Sequence, residues 1–422
     1  MTTSEIHLLL TGDELMSGDT VDSNSSMIAQ SLATHGHVVA RKVTVGDEPA
    51  LLSEALSDAI GRARVLIMNG GLGPTQDDLT AEQVAKAAGA KLIFHPDAER
   101  HVRDWCAERS IEPNDANLKQ AWIPEGAELI HNPRGSAVGF ALTIKNTLIL
   151  TTPGVPGELR AMLPEVGDRL VAALGGSEIH RLRLQTFGLG ESTAQALIDN
   201  DPEPWPQGVV LGFRAGMPQL EIKLTAEQNG PELSTARHTL ERLLGDHIIG
   251  EDDATLAAAL QATLRAQGKK MVSAESCTGG LIASMMTAEP GSSAVFEAGF
   301  VTYANHIKHS VLGVDTATLE RAGAVSEPVV RQMLAGALER SGADIGVAVS
   351  GIAGPDGGTP DKPVGTVWLA WGTRENVHTL KTLIPTDRAM FQKLVAAAGL
   401  DLIRRQLLGL PTLAHFFSRR AI

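Results

Sequence analysis

Lys270-Met271-Val272-Ser273-Ala274-Glu275-Ser276-Cys277-Thr278-Gly279-Gly280 decides the reading of this chain. A short, mainly apolar run gives way to a polar cluster closed by two glycines, the pattern of a buried strand ending in a ligand-facing turn. The pattern occurs twice more. Ala298-Gly299-Phe300-Val301 runs into Thr302-Tyr303-Ala304-Asn305-His306-Ile307-Lys308. Ile345-Gly346-Val347-Ala348-Val349 runs into Ser350-Gly351-Ile352-Ala353-Gly354-Pro355-Asp356-Gly357-Gly358. Ligand sites in α/β folds gather at the carboxyl ends of strands. Together the clusters offer hydroxyls, one lysine and backbone donors, a set suited to attack on an amide or ester carbonyl.

The amino-terminal part has the same strand, loop, helix rhythm. Strands are expected at 6–10, 38–45, 65–68 and 147–150, with helices at 25–35 and 49–61. The first strand ends at Thr11-Gly12-Asp13-Glu14, the third at Asn69-Gly70-Gly71-Leu72-Gly73-Pro74, and the fourth meets Pro153-Gly154-Val155-Pro156-Gly157. This rhythm predicts a largely parallel sheet with helices on both faces. Between Glu178 and His247 the pattern changes to polar–apolar alternation at 179–186 and 220–226, then a helix at 232–244. A small α+β unit with a half-exposed sheet is expected there, interrupted by Asp201-Pro202-Glu203-Pro204-Trp205-Pro206. The expected organisation is α/β, with domains at 1–170, 171–250 and 251–422.

With 422 residues, 43% hydrophobic and 20% charged, the chain can build two or three cores. A net charge of −13 argues against sequence-blind attraction to nucleic acid or anionic lipid. Met1 to Leu10 lacks a charged region followed by a sustained apolar one, and no run of 18 apolar residues is present. Cys106 and Cys277 have no metal-ligand spacing, so a reducing cytoplasm is the expected location.

In the third domain Ser276 is expected where strand gives way to helix, with Thr278, Gly279 and Gly280 in the first turn. Unpaired N–H groups there can hold a phosphate or an oxyanion. Lys308 is the candidate base, because desolvation lowers a lysine pKa in the direction this role needs. Tyr303, the single tyrosine, and Ser350 are candidate relays, and Arg388 a candidate phosphate clamp. Two plainer readings stand beside this one: Ser276 as a helix cap and Lys308 as a solvated charge. Cys277 is the rival nucleophile, with His306 in the next cluster. Asp356, beside two glycines, reads as a turn former.

Two acidic clusters mark strand ends in the first domain, Gly12-Asp13-Glu14 and Thr75-Gln76-Asp77-Asp78. The glycine turn Gly70-Gly71-Leu72-Gly73 precedes the second. Glycine N–H groups beside carboxylates that hold Mg²⁺ or a similar ion make a phosphate-ester or pyrophosphate site. A cap on a helix starting near Leu79 is the alternative use of Asp77 or Asp78.

AESCTGG, GSSAVFEAGFVTYANHIK, GAVSEP and SGIAGPDGG closely resemble the carboxyl-terminal domain of the CinA family, the competence/damage-inducible proteins. That resemblance, over about 255–408, implies a nicotinamide mononucleotide deamidase of the PncC type that needs no cofactor. It implies a Ser276–Lys308 pair supported by Tyr303, Ser350 and Arg388, with a further serine at Ser293. Ala304 and Thr386 depart from the family pattern at positions with no proposed role. GDELMSGDTVDSNS, GGLGPTQDDLT and PGVPGEL, within about 4–166, resemble the amino-terminal domain of the same family. Its fold is that of the molybdopterin-binding proteins MoaB and MogA, which implies a three-layer α/β domain. The resemblance also implies ADP-ribose pyrophosphatase activity with a divalent metal, the candidate ligands being Asp77 and Asp78 with Asp13 or Glu14. Gly70, Gly71, Gly73 and Thr75 would contact the phosphates. Ser136-Ala137-Val138-Gly139-Phe140 departs from the common Thr-Ala-Pro-Gly-Phe. The middle segment resembles a KH-like insert through Gly188-Leu189-Gly190-Glu191-Ser192, but no Gly-x-x-Gly lies between 178 and 247. A spacer or dimerisation element is expected there, in a homodimer. Molybdopterin handling and a non-enzymatic DNA-uptake scaffold are the alternatives.

Overall fold

The computed structural model describes residues 6–176 and 179–412. Met1 to Glu5 and Glu178, which entered the leader and middle-segment readings, lie outside them. The chain forms two compact units, Met1–Ile179 and His180–Ile422.

The first unit is built on a six-stranded sheet in the order Val39–Val45, Ile6–Thr11, Val65–Asn69, Thr147–Thr152, Gly139–Ile144, Glu128–Ile130. The first four strands are parallel and the last two antiparallel. Consecutive strand residues face opposite sides. Leu8, Leu10, Val65 and Ile67 pack on the helices Asn24–Thr34 and Pro156–Leu174. Leu9, Leu66 and Met68 pack on Pro49–Ala59, Thr80–Ala88 and Pro96–Glu108. The result is the expected three-layer arrangement. Its antiparallel edge extends beyond the parallel reading, because short apolar runs do not reveal strand direction.

In the second unit, residues 180–251 form a four-stranded antiparallel sheet, ordered Val209–Gly216, Gln219–Ala226, His180–Phe187, Ile248–Glu251. Leu184, Ile222 and Leu224 turn one face toward the helices Glu191–Asp199 and Pro231–Leu244. The five-stranded sheet that follows runs Phe296–Val301, Met271–Glu275, Ile345–Gly351, Thr366–Gly372, Val377–Leu383, the first three parallel. Met271, Val347 and Val349 face the helices Leu256–Ala266, Leu281–Ala288 and Arg388–Leu408. Val272, Ala274 and Ala348 face Glu327–Ser341. Near its end the last helix buries charge. Asp401 accepts from Nε of Arg404 at 2.9 Å and of Arg405 at 2.7 Å, and both arginines also donate to the Asp246 carbonyl. Among the described residues no helix is long and apolar enough to cross a membrane.

Candidate active sites

Because three strands of the five-stranded sheet run parallel, all three polar clusters emerge at one end of it. Ser276 directly follows the strand Met271–Glu275, its N–H tied to the Val349 carbonyl at 3.1 Å. The helix Asn305–Leu312 carries Lys308 back beneath that turn, with only 1% of the lysine exposed. Lys308 Nζ lies 2.9 Å from Ser276 Oγ, and 2.9 and 3.0 Å from the carbonyl oxygens of Thr302 and Tyr303. No carboxylate pairs with this amine among the described residues. Desolvation therefore lowers its pKa to about 8. A neutral amine has two hydrogens and one lone pair. Two carbonyls take the hydrogens, which leaves the lone pair facing Ser276.

The glycine turn differs from expectation. Residues 277–280 form a turn of their own, and the helix begins only at Leu281. Its N-terminal donors are already used. The buried Glu275 carboxylate accepts from the N–H groups of Gly280, Ile282 and Ala283, at 3.0, 3.0 and 2.9 Å, and from Thr278 Oγ1 at 2.7 Å. The Gly279 N–H goes to the Ser276 carbonyl. The N–H groups of Cys277 and Thr278 have no acceptor among the described residues, so these two, rather than Gly279 and Gly280, are open to an oxyanion. Glycine is needed here for conformation, since φ is +64° at Gly279 and +102° at Gly280.

Other expected partners fall in different places. Tyr303 meets Lys308 through its carbonyl; its hydroxyl, on a 62% exposed side chain, accepts from Arg388 at 3.3 Å. Arg388 opens the last helix and also donates to the Gly354 carbonyl at 3.0 Å. Ser350 is buried beside Val349 but donates to the Ala324 carbonyl at 2.8 Å, so its hydroxyl is engaged away from the pair. Ser293 is not brought in. It precedes the strand Phe296–Val301, whose far end pairs with Glu275, so it sits exposed at the opposite end of the strands. A six-residue strand sets roughly 15 Å or more between it and Ser276. Cys277 is 4% exposed, and burial pushes its thiol up to about 12, a state without thiolate character. His306 is exposed. Sequence reasoning missed Glu275 and Gln392, whose Nε2 donates to the Cys277 carbonyl at 2.9 Å.

In the first unit a cavity of about 480 Å³ opens at the carboxyl ends of the strands Ile6–Thr11, Val65–Asn69 and Thr147–Thr152. Gly70, Gly71 and Gly73 line it, as do Glu14, Asp77 and Asp78. Asp47 and Glu158 line it too, unforeseen although Glu158 belongs to PGVPGEL. Asp13 and Thr75 do not. The Asp13 carboxylate accepts the Asp47 N–H at 3.0 Å, and Thr75 donates its N–H and hydroxyl to Asp78 at 2.8 and 2.5 Å. Asp78 thus braces its own loop, while the helix Thr80–Ala88 has no side-chain cap. Among the described residues no three His, Cys, Asp or Glu side chains converge into a metal cage. The all-oxygen donors do suit Mg²⁺ carried in by a pyrophosphate, which needs only one or two protein carboxylates.

Residues 7–172 match the probable molybdopterin binding domain, and residues 253–407 the CinA C-terminal domain. A CinA-like protein of Colwellia psychrerythraea is 48% identical over 428 residues, covering 100% of this chain and 99% of the relative. The nicotinamide-nucleotide amidohydrolase PncC of Shewanella oneidensis is 38% identical over 423 residues, with 98% of each chain covered. The crystal structure of competence damage-inducible protein A from Klebsiella pneumoniae is 37% identical, at a TM-score of 0.36 over 36% of this chain and 95% of that one. Matched over 100% of its residues by a CinA-like relative, the chain belongs to the CinA family.

Proposed function

We propose that the chain hydrolyses nicotinamide mononucleotide to nicotinic acid mononucleotide and ammonia at the Ser276 site, and ADP-ribose to AMP and ribose 5-phosphate in the first-unit cavity. The observation that carries the first activity is the buried Lys308 amine at 2.9 Å from Ser276 Oγ. The name borne by the Shewanella oneidensis relative supports the substrate. Ser276 Oγ attacks the carboxamide carbon as its proton passes to Lys308. The oxyanion is met by the N–H groups of Cys277 and Thr278. The C–N bond then breaks, Lys308 returning the proton to the departing ammonia. Water next attacks the acyl ester with Lys308 again taking a proton, and Ser276 leaves reprotonated with nicotinic acid mononucleotide as product. Arg388 receives the 5′-phosphate beside Tyr303. In the cavity, Gly70, Gly71 and Gly73 cradle the pyrophosphate, while Asp77 and Glu14 are the carboxylates that would hold a Mg²⁺. That ion would neutralise charge on the pyrophosphate. A homodimer in the cytoplasm completes the proposal.

The test is one purified sample assayed for ammonia from the mononucleotide and AMP from ADP-ribose, with and without EDTA. EDTA is expected to stop AMP release and spare ammonia release, because only the cavity chemistry uses a metal. Asp77→Asn combined with Glu14→Gln should reproduce its effect on AMP alone. Loss of both activities to EDTA, or of neither, would overturn the two-site proposal. Absence of AMP alongside tight molybdopterin binding would favour the reading in which residues 7–172 only bind that cofactor. Cys277→Ala should keep more than about half of the ammonia release, since a thiol held this far above neutrality supplies little nucleophile. Loss of activity in a folded Cys277→Ala protein would transfer the nucleophile to the thiol.

A further inference from the structure

The first turns of the helix Arg388–Leu408 touch all three loops that build the Ser276 site. Asp387 caps the helix by accepting the Met390 N–H at 3.0 Å. Arg388 donates to the Gly354 carbonyl, in the loop after Ile345–Gly351, and to the Tyr303 hydroxyl, in the loop after Phe296–Val301. Four residues on, Gln392 donates from Nε2 to the Cys277 carbonyl at 2.9 Å, within the Ser276 turn itself. Residues four apart lie on one helix face, so the arginine and the glutamine move as one piece.

The Cys277 carbonyl shares a peptide group with the Thr278 N–H. A trans peptide is planar, so its C=O and N–H point in opposite directions. Holding the carbonyl therefore aims the N–H. The Thr278 N–H is one of the two amides in this turn with no acceptor among the described residues. Glu275 fixes the rest of the turn through the N–H groups of Gly280, Ile282 and Ala283 and holds Thr278 by its hydroxyl at 2.7 Å, but it makes no bond to the Cys277–Thr278 peptide group itself. Gln392 makes the hydrogen bond that orients this peptide.

We propose that Gln392 is a positioning residue for amide hydrolysis: it aims the Thr278 N–H at the oxyanion and, through its helix turn shared with Arg388, ties that aim to phosphate binding. The proposal rests on the reading of Ser276 as the nucleophile given above. It makes phosphate recognition act on the rate of the chemical step, because a phosphate held by Arg388 steadies the turn that carries Gln392.

The experiment compares Gln392→Ala and Gln392→Glu with the unaltered chain on nicotinamide mononucleotide and on nicotinamide riboside, which lacks the phosphate. Ser276 labelling by a fluorophosphonate is followed in parallel, with fluoride as the leaving group, and thermal melts report folding. Both variants should lose about 10- to 100-fold in kcat on the mononucleotide, as expected for a misaimed oxyanion donor, with KM within about threefold. The loss on the riboside should be smaller, and Arg388→Ala combined with Gln392→Ala should be less than multiplicative in kcat. Labelling should slow in both variants while the melts stay unchanged. A kcat within about threefold of the unaltered chain, a loss confined to KM, or a Gln392→Glu protein as active as the parent would overturn the proposal. If the parent released no ammonia yet its labelling slowed on Gln392→Ala, the substrate assignment would fail and the positioning role would stand.

Discussion

Lys308→Met is expected to lower ammonia release on the order of 10³-fold or more while leaving the protein as stable as before, or more so, at pH 7. Ser276→Ala should cost at least as much, because residues that act as one unit are lost together. The stability half of the prediction follows from the lysine's environment. Burial holds Lys308 at about 8, below its ordinary 10.5. In this lowered case the unfolded chain binds the proton more tightly than the folded one. The penalty, about 3 kcal/mol, is fully present below about pH 8 and is relieved as the pH rises toward 10.5. Methionine fills a similar volume without charge, but it abandons the Thr302 and Tyr303 carbonyls, at about 1 kcal/mol each. The net change at pH 7 is therefore about 1 kcal/mol in favour of the variant; it should vanish near about pH 9 and become about 1 kcal/mol against the variant by about pH 10.

Activity has the matching pH dependence. Only the neutral amine accepts the serine proton, so kcat/KM should rise with pH and level off above about 8. Paired measurements of ammonia release and thermal unfolding at pH 7 and pH 10 check both halves. A Lys308→Met protein that kept a tenth of the parental rate would remove the lysine from the chemistry. One that lost its stability at pH 7 would mean that the site holds an ammonium comfortably, contrary to its burial.

The Ser276–Lys308 meeting was legible because parallel strands put their carboxyl ends on one side, and each polar cluster directly follows an apolar run. The same logic located the cavity of the first unit, whose glycine turn and acidic residues also follow strands. What was not legible follows from what local pattern omits. Ser293 lies near the Tyr303 cluster in sequence, yet one strand's length separates them, because the chain must cross the sheet between the two. Glu275 looked like part of a strand, and the N–H groups after it looked free. Only the fold shows its carboxylate turning forward to occupy the helix N-terminus. Asp47, by contrast, stands two residues past the strand Val39–Val45, so it reaches the cavity by the same strand-end rule. Gln392 is 115 positions from the carbonyl it holds, and an interior helix glutamine carries no mark of such a role.

Glu275→Ala is the substitution expected to damage the Ser276 site most through structure rather than chemistry. The side chain is 0% exposed, and its two oxygens collect three backbone N–H groups, the Thr278 hydroxyl at 2.7 Å and the Ser273 hydroxyl at 3.2 Å. Alanine would leave these donors buried without the carboxylate that pairs them. Hydrogen bonds to a charged acceptor are each worth about 1.5–3 kcal/mol, but they are not additive within one cluster. A total loss on the order of 3–5 kcal/mol is expected, together with loss of ammonia release, since the Ser276 turn is anchored at both ends by this carboxylate. Glu275→Gln separates the causes. It keeps the volume but presents an NH₂ to a pocket made of donors, so it should lose about half as much stability. Urea unfolding with fluorophosphonate labelling of Ser276 reads both consequences. Near-parental stability in Glu275→Ala would mean that the turn holds its shape without the carboxylate. Slow labelling in a stable Glu275→Gln protein would instead assign Glu275 to shaping the nucleophile turn rather than to supporting the fold as a whole.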